Sequence, residues 1–448
     1  MKVCVTGSAA ARKAAFLLML LLLIPALEGI AGEETFRSAS DVEDTRAHIA
    51  RLPKTDIWWT RNGKDMAWNN RHLRSIFPAV PVYRAGQISE LAYRLNPEIP
   101  AFTVSTPDGD MPFSAFLDSD QSTTMGIVIL HRGDIVFEHY PRQQPYETPI
   151  FWSVTKAFVS TLVAILEDRG LVDVSRPIEQ YIPELAGSSF AGVTVRNFLD
   201  MATGVDCPEE YEDRDSCYYR YSMTVGDGFW NEDSPDNPYT YLASVNVGRW
   251  AEQGTSFSYS GVNTFILGWL VETIEGMPFQ DALSREIWTR IGAEGDASIL
   301  APRFGVPITH GGLMARLRDV ARFGLLFTPS YSRVAEERIV SERYVDLILN
   351  GGRPELLKNA RFGAPDDPTV RHNVYQWDLV WNNGDFLKGG WAGQGLLINP
   401  GRDLVAVWTG YFKDDEHSEV ELLPILRTVL DGLYGGEPEP GEARGEDQ

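Results

Sequence analysis

Cysteine is almost absent from this chain, with three residues in 448. Positive charge is scarce as well: 40 Lys and Arg stand against 62 Asp and Glu, for a net charge of −22. No basic run occurs, which argues against nucleic acid and anionic lipid surfaces as partners. The motif Gly-x-Ser-x-Gly is missing, and His131, His139, His310 and His417 lie in unrelated segments, so an α/β-hydrolase triad has no support. No internal repeat is visible. The one long apolar run, "AAFLLMLLLLIPAL" at 14–27, falls short of the roughly 20 residues of a membrane span. Arg12 and Lys13 precede it and the small residues of "EGIAGEE" follow, so residues 1–32 read as a secretory signal or, if uncleaved, an N-terminal anchor. Any membrane contact would be through that segment, and the expected location is exported, periplasmic or extracellular. Cys4 would leave with the signal. Cys207 and Cys217, ten apart, are then expected to pair, closing a loop worth about 2–3 kcal/mol on the chain-entropy view. No histidine or second cysteine pair sits beside them, which disfavours a metal site.

What is present is a globular composition, 44% apolar and 23% charged, with 12 Trp. Residues 33–120 are rich in Pro and Trp and show little periodicity; they read as an irregular extension packed on the core. "TTMGIVILHRGDIVFEHY" (123–140) alternates as a β-hairpin around "HRGD", and its RGD is a turn rather than an adhesion motif. Helical patterns follow at 153–170, in "VTVRNFLDMATG", in "SGVNTFILGWLVETIEG" and over 311–327. Strands return in "DFLKGG", "QGLLINP" and "DLVAVWTGYF", before a last helix in "EVELLPILRTVLDGLYG". The acidic tail, 436–448, reads as disordered. Strands at both ends of a helical middle predict an α+β fold: an antiparallel sheet flanked by helices, with a mostly helical region inserted.

The segment "FWSVTKAFVSTLVAIL" sets Ser153 one helical turn before Lys156. With 27 Ser and 8 Lys in the chain, chance supplies Ser-x-x-Lys about every second time. Read blandly, it is a helix cap and a solvated lysine. The apolar run behind Lys156 predicts a buried helix, however. A lysine in the first turn of such a helix opposes the dipole and is costly to desolvate, and both effects depress its pKa. A lysine neutral near pH 7 can take the proton of a serine hydroxyl, while the helix N-terminus aims N–H groups at a developing oxyanion. Tyr259, in "SFSYSGVNTF", opens a helix and offers a proton relay or simply packs. "LKGGWAGQGLLINP" places glycines at 389, 390, 393 and 395, where backbone can approach a ligand or a strand can bulge. The acidic stretch "EEYEDRD" lacks the EF-hand pattern and reads as a solvated loop rather than a Ca²⁺ site.

Ser-x-x-Lys, then Tyr259, then Lys-x-Gly on a late strand resembles the serine β-lactamase and penicillin-binding protein superfamily. The class C-type branch and its 6-aminohexanoate-dimer hydrolase and esterase relatives are the most similar. The resemblance covers roughly residues 75–430 and implies a β-lactamase-like serine hydrolase domain over 121–435. It implies Ser153 as acylated nucleophile, Lys156 as base and Tyr259 as proton relay, with the N–H groups of Ser153 and Trp391 as oxyanion hole. Tyr211, Lys388 and Gly390 would meet substrate, and no cofactor or metal is implied. Two positions depart from the pattern: Gly261 stands where Asn is usual, and Gly389 where Thr is usual. Both argue for a small-molecule amide or ester over a penicillin. Lys388 would attract a substrate carboxylate or lie on the surface as an ordinary strand lysine. The expected function is amide or ester hydrolysis through an acyl-enzyme. The alternatives are a D-amino-acid peptidase or weak β-lactamase on cell-wall fragments, and a non-catalytic sensor of the same fold.

Overall fold

Seven antiparallel strands form the centre of the computed structural model, in the order β5-β4-β12-β11-β10-β9-β8. In chain order the strands are β1 (Ala79–Val82), β2 (Thr103–Thr106), β3 (Gly109–Pro112), β4 (Gly126–His131), β5 (Asp134–His139) and β6 (Ala297–Leu300). They continue with β7 (Leu313–Met314), β8 (Val370–Val374), β9 (Trp377–Trp381), β10 (Phe386–Gly390), β11 (Gln394–Asn399) and β12 (Leu404–Thr409). Two smaller sheets, β1-β6-β7 and β2-β3, complete the set among the described residues. The structure describes residues 42, 43, 46, 47, 62–303, 305–363, 365 and 367–435. The chain divides into two units, Met1–Arg51 and Leu52–Gln448; the four described residues of the first are helical and exposed. The expected signal at 1–32, the first part of the extension and the tail at 436–448 lie outside the described residues.

Among the helices of the described residues are α1 (Gly63–Ile76), α2 (Thr155–Asp168), α3 (Cys217–Val225), α4 (Gly261–Glu275), α5 (Leu317–Leu325) and α6 (Leu422–Tyr434). Strand alternation sorts side chains onto two faces. Leu396, Ile398, Val405 and Val407 enter the larger core with Phe158, Leu162 and Phe323 of α2 and α5. Leu397, Leu404, Ala406 and Trp408 point the other way, onto Leu426, Val429 and Leu430 of α6. Because helices cover both faces, β11 and β12 read as nearly continuous apolar runs although they are antiparallel. On α6 the buried residues are Leu422, Ile425, Leu426, Val429 and Leu430, one stripe at helical spacing. Each such side chain contributes about 1.5–3 kcal/mol on full burial. In α2 every residue from Thr155 to Leu166 is buried, so its apolar character on all sides has a structural cause.

Three readings of the sequence change. The helical pattern over 311–327 is a helix only over Leu317–Leu325, because Leu313–Met314 pairs as β7 with β6. The Phe151 N–H donates to the Leu313 carbonyl at 2.8 Å, and the Leu313 N–H donates to Thr155 Oγ1 at 3.0 Å. Long-range pairing thus overrides local periodicity. Within the stretch read as irregular, α1 runs for 14 residues and β1 pairs with β6, Ala79 opposite Leu300. The inward face of α1 is Met66, Asn69, Asn70 and Leu73, a helical spacing disguised by two polar residues. Finally, β8 and β9 extend the sheet beyond the strands read from sequence.

Candidate active site

Two hydrogen bonds fix the turn carrying Ser153. Thr155 Oγ1 donates to the Trp152 carbonyl at 2.6 Å, closing a short 3-10 turn over Trp152–Val154 that runs directly into α2. Trp152 Nε1 donates to Asn70 Oδ1 of α1 at 3.3 Å. Trp152 itself has φ +43°, a left-handed conformation that is uncommon and strained for a bulky residue. That kink sits immediately before the serine. Where such strain is found, the surrounding contacts must hold it.

One turn on, Lys156 is fully buried and its Nζ donates to Ser153 Oγ at 2.9 Å and to the His310 carbonyl at 2.7 Å. Glu209 Oε2 is 3.9 Å from the same nitrogen. Burial pulls the Lys156 pKa from 10.5 down to about 8, against the opposing pull of Glu209. The neutral amine is therefore far easier to reach near pH 7 than for a solvated lysine.

Tyr259 precedes α4, anchored by its N–H donating to the Phe362 carbonyl at 3.0 Å. Its ring is contacted by two lysines, 4.9 Å from Lys156 Nζ and 4.8 Å from Lys388 Nζ. Its hydroxyl accepts from Lys388 Nζ at 3.1 Å. Burial pushes the phenol well above its usual pKa, with Asp378 and Glu209 adding to the rise. One amine is driven down and one phenol up, so the environment separates a base from a neutral proton carrier.

Lys388 is not a surface lysine. It is fully buried on β10, with its ammonium 2.5 Å from Asp378 Oδ1, while the Gly389 N–H donates to Asp378 Oδ2 at 3.0 Å. The end of β10 presses on the nucleophile turn: a Cβ on Gly390 would lie 2.5 Å from the Phe151 carbonyl oxygen. Only glycine permits that approach, which brings the strand leading into Trp391 beside Ser153. Trp391 is exposed, and its ring meets Trp152 edge-on at 5.6 Å between centroids.

The loop that bears Tyr211 is tied by the Cys207–Cys217 disulfide. The Tyr211 ring is partly open to solvent, but its hydroxyl turns inward, 2.9 Å from the Tyr218 hydroxyl, 3.2 Å from Asp227 Oδ2 and 3.3 Å from Glu209 Oε1. His310 joins this cluster, its Nδ1 3.0 Å from the Tyr221 hydroxyl and its Nε2 3.3 Å from Asp227 Oδ2. The stretch "EEYEDRD" is therefore only partly a solvated loop. Glu209 faces the site, and its Oε2 finds no hydrogen-bond partner among the described residues.

Ser153, Lys156, Tyr259, Lys388, Gly390 and Trp391 are thus brought together, with Tyr211 at the edge. Glu209, Tyr218, Asp227, His310 and Asp378 were not read from the sequence. For Asp378 a signal existed: "WDLVWNNGDFLKGG" has the Asn and Gly residues of a hairpin turn, and with a three-residue loop over 382–384 the register sets Asp378 across from Lys388.

The profile of the beta-lactamase family matches residues 113–415. The 6-aminohexanoate-dimer hydrolase of Paenarthrobacter ureafaciens is 29% identical over 390 residues, covering 84% of this chain and 94% of that protein. A solved structure from Bacillus anthracis, provisionally described as a 6-aminohexanoate-dimer hydrolase, has a TM-score of 0.70 at 22% identity, covering 86% of this chain and 96% of that one. A mutant class C beta-lactamase has a TM-score of 0.50 at 14% identity, covering 71% and 95%. At these identities the solved structures show a shared fold.

Proposed function

The chain belongs to the beta-lactamase family, and from that premise we propose that it is an exported serine hydrolase cleaving an amide or ester through an acyl-enzyme on Ser153. The observation that carries this reading is the 2.9 Å hydrogen bond between Lys156 Nζ and Ser153 Oγ at a fully buried lysine. Neutral Lys156 takes the Ser153 proton as Oγ bonds to the substrate carbonyl carbon. The N–H groups of Ser153 and Trp391 receive the oxyanion. Tyr259, whose ring lies 4.9 Å from Lys156 Nζ, gives its proton to the departing nitrogen or oxygen and regains one from the Lys156 ammonium. Water then attacks the acyl carbon, loses a proton back through the same groups, and frees Ser153. Every role is filled by protein groups, so the scheme draws on no cofactor. Export rests on the charged-then-apolar pattern of residues 1–32 and agrees with the disulfide.

The test is covalent labelling. A fluorophosphonate probe should add once per chain, at Ser153, and Ser153→Ala should abolish the adduct along with turnover of p-nitrophenyl acetate. An unlabelled wild-type chain that turns over no ester would overturn the reading.

A further inference from the structure

The hairpin of β9 and β10 puts an acid where a substrate acid would go. Phe386 pairs with Val380 and Leu387 with Leu379, and one more step of this register sets Asp378 across from Lys388. Both oxygens of Asp378 are engaged, Oδ1 by Lys388 at 2.5 Å and Oδ2 by the Gly389 N–H at 3.0 Å. The other contact of the Lys388 ammonium is the Tyr259 hydroxyl at 3.1 Å. A free ammonium at this position would anchor a carboxylate; here it is already neutralised by a partner on the neighbouring strand. The next residue, Gly389, has no hydroxyl to offer a second anchor.

Position also fixes which side of the substrate is affected. Tyr259 protonates the leaving group in the proposed mechanism, and Lys388 donates to Tyr259, so Lys388 stands on the leaving-group side. The charges acting on Lys156 include Glu209, Asp227 and Asp378 against Lys388. With Lys156 neutral, as acylation requires, the positive charge of Lys388 is already paired with Asp378. The chain as a whole, at −22, adds repulsion of anions at long range.

We propose that Asp378 is a specificity-determining positioning residue: it neutralises Lys388, holds it on Tyr259, and thereby excludes substrates with a carboxylate close to the leaving atom. The inference rests on the serine-hydrolase reading above. It names the substrate class as amides and esters whose leaving group is uncharged or cationic near the scissile bond.

The test compares 3-acetoxybenzoate with 3-acetoxybenzamide, which differ in the charge of the leaving phenol. The wild-type protein should favour the benzamide in kcat/KM by at least tenfold after correction for intrinsic reactivity, and 0.5 M NaCl should narrow that preference. Asp378→Asn frees Lys388 and should narrow it at least fivefold, whatever happens to the absolute rates. A loss of packing alone would slow both esters alike and leave the ratio in place. Should the variant turn over neither, binding of 3-hydroxybenzoate against 3-hydroxybenzamide reads the same ratio without catalysis. Equal turnover of both esters by the wild type, or a ratio unmoved in Asp378→Asn, would overturn the inference. Absence of any turnover together with absence of Ser153 labelling would instead strike the hydrolase reading on which it rests.

Discussion

Lys156 is buried at a cost, and the pH dependence of acylation should display it. Its pKa is drawn from 10.5 to about 8 because burial penalises the ammonium, while Glu209 nearby favours it. Only the neutral amine accepts the Ser153 proton. The rate constant kcat/KM should therefore rise about tenfold per pH unit below 7 and level off above about 9, with a midpoint near 8. Glu209→Gln removes an anion that favours the charged form, so the midpoint should move down, with acylation gaining at pH 6 relative to its plateau. A midpoint that stays put or moves up would contradict this assignment of charges. Lys156→Ala should cost about 10²–10⁴-fold in acylation while the protein still melts cooperatively. The Ser-x-x-Lys spacing made Ser153 and Lys156 legible as a pair, because one turn of helix is enough to bring them together. Glu209, Asp227 and His310 were not, since their partners lie on other segments and only the closed fold joins them. Lys388 stayed open between a substrate contact and a surface position for a related reason: a lysine in a strand looks like an outward residue unless its counter-charge is known.

At the scale of elements, the start of α4 explains one departure from the family pattern. A Cβ on Gly261 would sit 2.8 Å from His310 Cδ2, 2.8 Å from the Tyr218 hydroxyl and 3.0 Å from Glu209 Oε2. The space that an asparagine side chain needs is filled by residues from the disulfide-tied loop, from α3 and from the segment before β7. Gly261→Asn should therefore not restore a lactamase-like site. It should overpack a buried cluster, costing about 1–3 kcal/mol and lowering the melting temperature by several degrees. A thermal melt checks this, and an unchanged midpoint with faster nitrocefin hydrolysis would refute it. The same cluster shows where sequence patterns run out. β4, β5, β10, β11, β12 and α6 were legible because alternation or helical spacing survives within each. β7 was hidden, because two residues paired at long range carry no period of their own. α1 was hidden because Asn69 and Asn70 occupy inward positions that a hydrophobic pattern would reserve for apolar side chains.

For the whole molecule, α1 and β1 are part of the catalytic scaffold although they precede the family-matched segment, which begins at residue 113. Met66 and Leu73 are buried, and Leu73 and Val82 enter the larger core. Asn70 links two halves of the site: its Nδ2 donates to the Gly410 carbonyl at 3.1 Å, its carbonyl accepts from the Ile150 N–H at 2.8 Å, and its Oδ1 accepts from Trp152. Gly410 follows β12, and Trp152 precedes Ser153, so one side chain ties the central sheet to the strained turn. Removing these residues would expose apolar core, leave β6 without its β1 partner and release Trp152 from its φ of +43°. A chain comprising residues 113–435 should therefore show no cooperative melt and no labelling at Ser153. Asn70→Ala in the full chain separates the two roles. It should melt only a few degrees lower yet acylate at least tenfold more slowly, because the turn that aims Ser153 loses its tether. If the 113–435 chain melts cooperatively and labels at the wild-type rate, α1 and β1 are an accessory layer and the site is complete without them.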